Sequence, residues 1–297
     1  MRRNLGVPTY LAGAFIIAFL GITLLKGDTD PKDTDDATAY SDTRKAQIDG
    51  FWRLYSAASD QRRNGDLETA AKTYGEALTM NERHEDTLYY LGNSLAQLSR
   101  HVEAIDVFEK LVSVNSLSAR AHFQMGTIRS NTASGDLFDL DAAEQEFQRA
   151  LEINREESAP VQRLGEIALA KGQSAKAMRL LGDTIRTNEK AVGAYVLLGY
   201  LRWEQGDRDK ARQLMNQARA RTGIETTPTG VAGEGDTLPG QLPNIRRIGL
   251  FTQHVQAAIA DSVDASPSEV ETRYSELHRH IKDVGSRWRE SQSKRSG

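Results

Sequence analysis

The sequence predicts an all-α fold: a solenoid of about five stacked helix hairpins, preceded by a transmembrane helix and followed by C-terminal helices. Three observations support this prediction. Apolar residues recur at the three- and four-residue spacing of a helix face. Their pattern returns about every 34 residues, as in repeat proteins. A charge-free stretch near the N-terminus has the length of a membrane span.

The clearest repeat unit is Glu85–Ser118, in which two amphipathic stretches of about 14 residues form one hairpin. Gly92 falls in the middle of the first stretch. A glycine inside a helix costs about 1 kcal/mol relative to alanine, so its presence implies a packing requirement. We expect Gly92 to let the second helix approach closely, with Ala104 facing it.

The same pattern continues on both sides of this unit. The five predicted units are 51–84, 85–118, 119–157, 158–191 and 192–221, and together with a short leading segment they form an array over 43–221. Each first helix has a small residue at one register: Ala58, Gly92, Gly126, Gly165 and Gly199. Each second helix has an alanine at one register: Ala70, Ala104, Ala143, Ala177 and Ala211. The third unit also has an insertion around Asn131–Phe138, between its two helices.

This period and small–large pattern closely resemble the tetratricopeptide repeat family, over about residues 51–221. The resemblance implies a right-handed superhelix whose first helices line a concave groove. It also implies that the groove binds a peptide or protein partner. The groove residues expected on this basis are Trp52, Tyr55, Arg62, Tyr89, Tyr90, Asn93, Arg120, Phe123, Gln124, Thr127, Arg163, Tyr200 and Trp203.

Aromatic side chains, amides and arginines are the residue types that anchor an extended peptide. Family members that bind chaperone tails hold a terminal carboxylate in a clamp that includes two lysines. Asn93 and Arg163 match clamp positions, but Tyr89 and Ala159 stand where the lysines would be. The resemblance therefore favours peptide binding in general over carboxylate clamping. For Tyr90 and Phe123, packing between units is an equally open interpretation.

The first 42 residues predict a membrane anchor. Residues 1–4 are basic and would be cytoplasmic, residues 5–25 are free of charge and would span the bilayer, and residues 26–42 read as a disordered acidic tether. The expected localisation is therefore a single-pass membrane protein with a cytoplasmic N-terminus and an extracytoplasmic array. A cleaved signal peptide is the alternative for residues 5–25.

After the array, residues 222–243 predict a Gly/Pro-rich linker, 244–290 C-terminal helices and 291–297 a tail. Ser266, Pro267 and Glu269 match the start signals of a helix. In that helix, apolar residues then form a heptad seam over 270–288: Val270, Tyr274, Leu277, Ile281, Val284 and Trp288. The seam could pack on the array or mediate self-association.

Composition excludes several functions. The chain has no cysteine, so it has no disulfide framework and no thiol nucleophile. Its net charge is −3, without a basic aromatic stripe, which argues against nucleic-acid binding. No catalytic motif, cofactor motif or metal ligand set is visible. We therefore expect a non-catalytic interaction scaffold or assembly factor in the membrane. The alternatives are a cytoplasm-facing co-chaperone adaptor and a self-associating structural module.

Overall fold

In a computed structural model of the chain, the described residues, 31–221, 249–260 and 264–296, are helical and contain no strand. Twelve α-helices follow one another in these residues. Their bounds are α1 Pro31–Arg63, α2 Leu67–Met80, α3 Glu85–Gln97, α4 His101–Val114, α5 Ala119–Ser130, α6 Leu140–Ile153, α7 Ser158–Ala170, α8 Ser174–Thr187, α9 Val192–Glu204, α10 Arg208–Arg219, α11 Thr252–Ala258 and α12 Pro267–Ser296. A short 3-10 helix, Thr132–Leu137, lies between α5 and α6.

Five hairpins form the array, as the sequence predicts. We number them units 1 to 5, and their first helices are α1, α3, α5, α7 and α9. The turn inside a hairpin needs one residue in the left-handed region. Gly65, Gly172 and Gly206 supply it in units 1, 4 and 5, where a missing Cβ makes this conformation inexpensive. In unit 2 the residue is Ser99, with a φ of 60°.

The register alanines of the second helices are all fully buried. The close approach predicted at Gly92 is present, and the nearest atoms belong to Phe108. A Cβ at Gly92 would lie 2.7 Å from the ring of Phe108, one helical turn beyond Ala104. Gly126 faces Phe147 and Gly165 faces Leu181 in the same way. These three glycines therefore accommodate a large side chain of the second helix, whereas a Cβ at Gly199 would lie 3.2 Å from the backbone oxygen of Ala211.

The C-terminal helices pack on the array. In the heptad seam, Val270, Tyr274, Leu277, Ile281 and Val284 are buried in one apolar cluster with residues of units 3 to 5. Ser266 caps α12 as predicted, since its hydroxyl accepts a hydrogen bond from the amide of Glu269 at 3.2 Å. The seam thus packs on the array, which is the first of the two alternatives that the sequence left open for residues 270–288.

The structure also differs from the sequence prediction at both ends. Helix α1 begins at Pro31, inside the predicted tether of 26–42, and proline is favoured at the first position of a helix. Helix α12 runs to Ser296, through most of the predicted tail. The linker of 222–243 lies outside the described residues.

The predicted localisation has to be corrected. Across the residues that the structure describes, no helix is both long enough and apolar enough to cross a membrane. A single-pass membrane protein therefore has no support, and we withdraw that localisation. The segment 5–25, on which the prediction rested, lies outside the described residues.

Candidate functional site

The candidate site is the groove face, which we define as the surface of the first helices that carries the predicted groove residues. All of these residues lie in one compact unit that begins at Phe51. The groove face divides into two halves. The half on units 4 and 5 is covered by the chain's own C-terminal segments. The half on units 1 to 3 carries Trp52, which is half-exposed.

On unit 4, Arg163 and Glu166 form a buried ion pair, with Nη1 of the arginine 2.8 Å from Oε1 of the glutamate. The residues before α11 lie directly over this pair. The amide of Leu250 donates a hydrogen bond to Oε2 of Glu166 at 3.1 Å. A Cβ at Gly249 would collide with the ends of both side chains, so a larger residue here would require the ion pair to shift. Arg163 is therefore engaged within the chain.

On unit 5, α12 covers the two predicted aromatic residues. The indole N–H of Trp203 donates to Oε2 of Glu271 at 2.8 Å. The hydroxyl of Tyr200 lies 2.9 Å from Nδ1 of His278. Tyr274 reaches the backbone of α9 at Gly199. The predicted residues Tyr200 and Trp203 thus contact a helix, but the helix belongs to the same chain.

Helix α12 continues towards unit 3. The indole N–H of Trp288 donates to Oδ2 of Asp141 at the start of α6, at 3.0 Å. Arg295 donates to the carbonyl oxygens of Asp136 and Phe138 and forms an ion pair with Asp139. The insertion of unit 3 therefore contacts the C-terminal end of α12.

Lysine stabilises the carboxylates at this end of α12. Lys171 Nζ lies 2.6 Å from Asp141 and 2.5 Å from Glu144. Burial alone would raise the pKa of each carboxyl. The hydrogen bonds and positive charge of Lys171, together with Trp288 and Arg295 at Asp141 and with Lys176 at Glu144, outweigh burial, so both pKa values are lowered. Both carboxylates consequently remain charged at neutral pH.

The uncovered half begins at α1. Trp52 and Tyr55 lie one turn apart on this helix, with ring centroids 5.7 Å apart. The exposed fraction of Trp52 is 51%. The guanidinium of Arg62 lies 4.5 Å from the ring centroid of Tyr90, on the neighbouring unit. Three predicted aromatic residues and one arginine therefore share one continuous surface.

Further along this half, Arg120 joins units 2 and 3. Its guanidinium lies over the ring of Tyr89 at 4.6 Å and forms an ion pair with Asp86 at 2.6 Å. Gln124 donates to the hydroxyl of Tyr89 at 3.3 Å. Oδ1 of Asn93 and Oε1 of Gln124 are buried and have no hydrogen-bond partner among the described residues.

Several predicted groove residues are buried, among them Phe123, Gln124 and Thr127. Phe123 is buried and packs edge-on against Phe147 at 5.3 Å. Thr127 is buried and its hydroxyl donates to the carbonyl of Phe123 at 2.9 Å. The structure thus brings Trp52, Tyr55, Arg62, Tyr90 and Arg120 together on the uncovered half and places Phe123 and Thr127 in the core.

The chemistry of this surface favours binding. Burial raises the pKa of Tyr55 to about 12 and also raises the pKa of Tyr200, so both phenols stay protonated at neutral pH. In the described ranges, histidines and carboxylates form no group that could hold a metal ion. The surface offers aromatic rings, hydrogen-bond donors and cations, which suit a protein ligand.

Comparison with known proteins identifies the repeats. The family model for the tetratricopeptide repeat matches residues 55–124 and 163–223. These two parts of the chain therefore match tetratricopeptide repeats. The matched residues lie in units 1 to 3 and in units 4 and 5. A comparison with curated protein sequences gives no match.

Solved structures share the fold at low sequence identity. PilF from Pseudomonas aeruginosa is 15% identical with a TM-score of 0.51, over 84% of this chain and 99% of that one. PilW, a type IV pilus biogenesis factor, is 14% identical with a TM-score of 0.52, over 80% and 97%. MamA from Desulfovibrio magneticus RS-1 is 15% identical with a TM-score of 0.52, over 60% and 98%. These similarities support the all-helical solenoid fold and, at this level of identity, only the fold.

Proposed function

We propose that the chain is a non-catalytic interaction scaffold or assembly factor that binds a peptide or protein partner on units 1 to 3 of its groove face. The half-exposed Trp52 is the observation that carries this proposal. Aromatic and arginine side chains supply most of the binding energy at protein interfaces. In this chain they cluster on the half of the groove face that the C-terminal helices leave uncovered.

The occupied half argues against two other functions. A co-chaperone adaptor with a carboxylate clamp would need Arg163, which is paired with Glu166 and lies beneath Gly249. A self-associating module would need the heptad seam, which is buried against units 3 to 5. Neither function is supported by the contacts of these side chains.

Site-specific photocrosslinking tests the proposal. A photoreactive phenylalanine analogue placed at Trp52 or Tyr90 is expected to crosslink a discrete partner in cells that express the protein. The matched control is Val102, which is 61% exposed and lies on the second helix α4, away from the groove face. Equal crosslinking from Val102, or none from Trp52 and Tyr90, would place the binding surface elsewhere.

A further inference from the structure

The three tryptophans differ in what their indole N–H groups contact. Trp203 donates to Glu271 at 2.8 Å, and Trp288 donates to Asp141 at 3.0 Å. Both hydrogen bonds join α12 to the array, and both acceptors are carboxylates. Trp52 is 51% exposed, and its indole N–H has no hydrogen bond within the described part of the chain. This donor is available to a partner.

Helix α12 shows how the groove face holds a helix. Tyr200 and Trp203 are three residues apart on α9, so they share one side of that helix. On α12, Glu271 accepts a hydrogen bond from the indole of Trp203, and His278 lies within hydrogen-bond distance of the hydroxyl of Tyr200. Between these two, Tyr274 is fully buried against α9 and α10. The docked helix thus carries an acidic residue and an aromatic residue on the same face.

The surface of α1 has the same pair of residue types. Trp52 and Tyr55 are also three residues apart, and the imidazole of His84 lies 5.6 Å and 5.3 Å from their rings. The nearby carboxylate of Asp86 is neutralised by Arg120. The guanidinium of Arg62 adds positive charge on the same side, over Tyr90. The positive charge of Arg62 would therefore favour an incoming carboxylate on this side.

We infer that the partner docks an amphipathic helix on Trp52 and Tyr55, as α12 docks on Tyr200 and Trp203. An aspartate or glutamate of that helix accepts a hydrogen bond from the indole N–H of Trp52. A large apolar side chain about one turn away packs on the ring of Tyr55. This inference rests on the proposed function and specifies the chemistry of its partner.

A displayed library of helix-forming peptides, selected on the full chain, tests the inference. Peptides that bind the wild type but not the Trp52→Ala variant are sequenced, and their affinities are measured by titration. We expect them to share an acidic residue three or four positions from a large apolar residue. Because a hydrogen bond to a charged group is strong, Trp52→Phe should weaken their binding about tenfold.

The control experiments separate this inference from the proposed function. Replacing the shared acidic residue of the peptide with its amide should weaken binding to the wild type about tenfold, but should not weaken binding to Trp52→Phe further. Val102→Ala should leave affinity unchanged. Peptides that need Trp52 but lack an acidic residue, or that bind Trp52→Phe as tightly as the wild type, would overturn the inference and leave the proposed function standing. If no selected peptide depends on Trp52 or Tyr90, both are overturned.

Discussion

At the scale of single residues, glycine and alanine set the spacing of the hairpins. Gly92, Gly126 and Gly165 each lie against a large side chain of the following helix. The sequence predicted the close approach because a glycine inside a helix is destabilising and is expected where a close contact leaves no room for a side chain. It did not indicate that Phe108 would be nearest, because Ala104 and Phe108 are one turn apart and both lie on the buried side of α4.

Two glycines give a matched pair of substitutions. Gly92→Ala would place a Cβ 2.7 Å from the ring of Phe108, which has to shift within a packed core, so we expect a loss of about 1–3 kcal/mol in stability. Gly75 lies inside α2 with open space around it. Gly75→Ala should therefore raise stability by up to about 1 kcal/mol. Thermal unfolding followed by circular dichroism measures both, and a shift of the same sign for both variants would contradict this account.

At the scale of elements, the sequence predicted α12 well and its position poorly. Ser266 and Glu269 mark the start of the helix, and the heptad spacing marks its apolar face. That spacing specifies a buried stripe but not the surface that buries it. The signals that could have indicated the array were Gly249 and Gly285, where a side chain would collide with α7. The sequence alone does not show which residue a glycine in a linker or in a helix will contact.

Contact between α11 and α12 should make stability depend on pH. The rings of His254 and His280 stack with centroids 4.5 Å apart, and Nδ1 of His254 is buried without a hydrogen bond. Burial, and then His280 and Arg279, lower the pKa of His254 from its ordinary value of 6.5, while Glu276 acts in the opposite direction. The folded state thus keeps His254 neutral at a pH where the unfolded chain binds a proton.

It follows that His254 contributes its full stability above about pH 6.5 and loses it as the pH falls below that value. Thermal unfolding temperatures measured at neutral and mildly acidic pH should fall with acidity in the wild type. His254→Phe should show a smaller fall, since phenylalanine has the size to stack on His280 and does not titrate. The same fall in both proteins would show that another group causes the pH dependence.

At the scale of the whole molecule, the sequence predicted the number of hairpins and the alternation of their helices. It could not predict which half of the groove face stays uncovered, because that depends on contacts between residues far apart in the chain. Trp203 and Glu271 are an example. Trp52 and Trp203 are both predicted groove residues, but only Trp203 donates a hydrogen bond to α12.

The buried seam gives a prediction for the assembled protein. Leu277 is almost fully buried within the cluster that joins α12 to units 3 to 5. Leu277→Ala should therefore lower stability by about 2–5 kcal/mol. Its molar mass by light scattering should equal that of the wild type, because the seam is used inside the chain. A lower mass for the variant would show that the seam also joins separate chains.

In a simple repeat array each unit contacts only its neighbours, so units can be added or removed with little consequence for the others. This independence of the units does not hold here, because Arg295 of α12 contacts the insertion of unit 3. Helix α12 starts beside α10 in unit 5, where Glu269 pairs with Arg219, and ends at Asp136 and Phe138 in unit 3. It therefore spans a fixed number of units. Insertion or deletion of a unit between these two points would break the contacts at one end of α12. The number of units in this part of the array is therefore fixed by the length of α12.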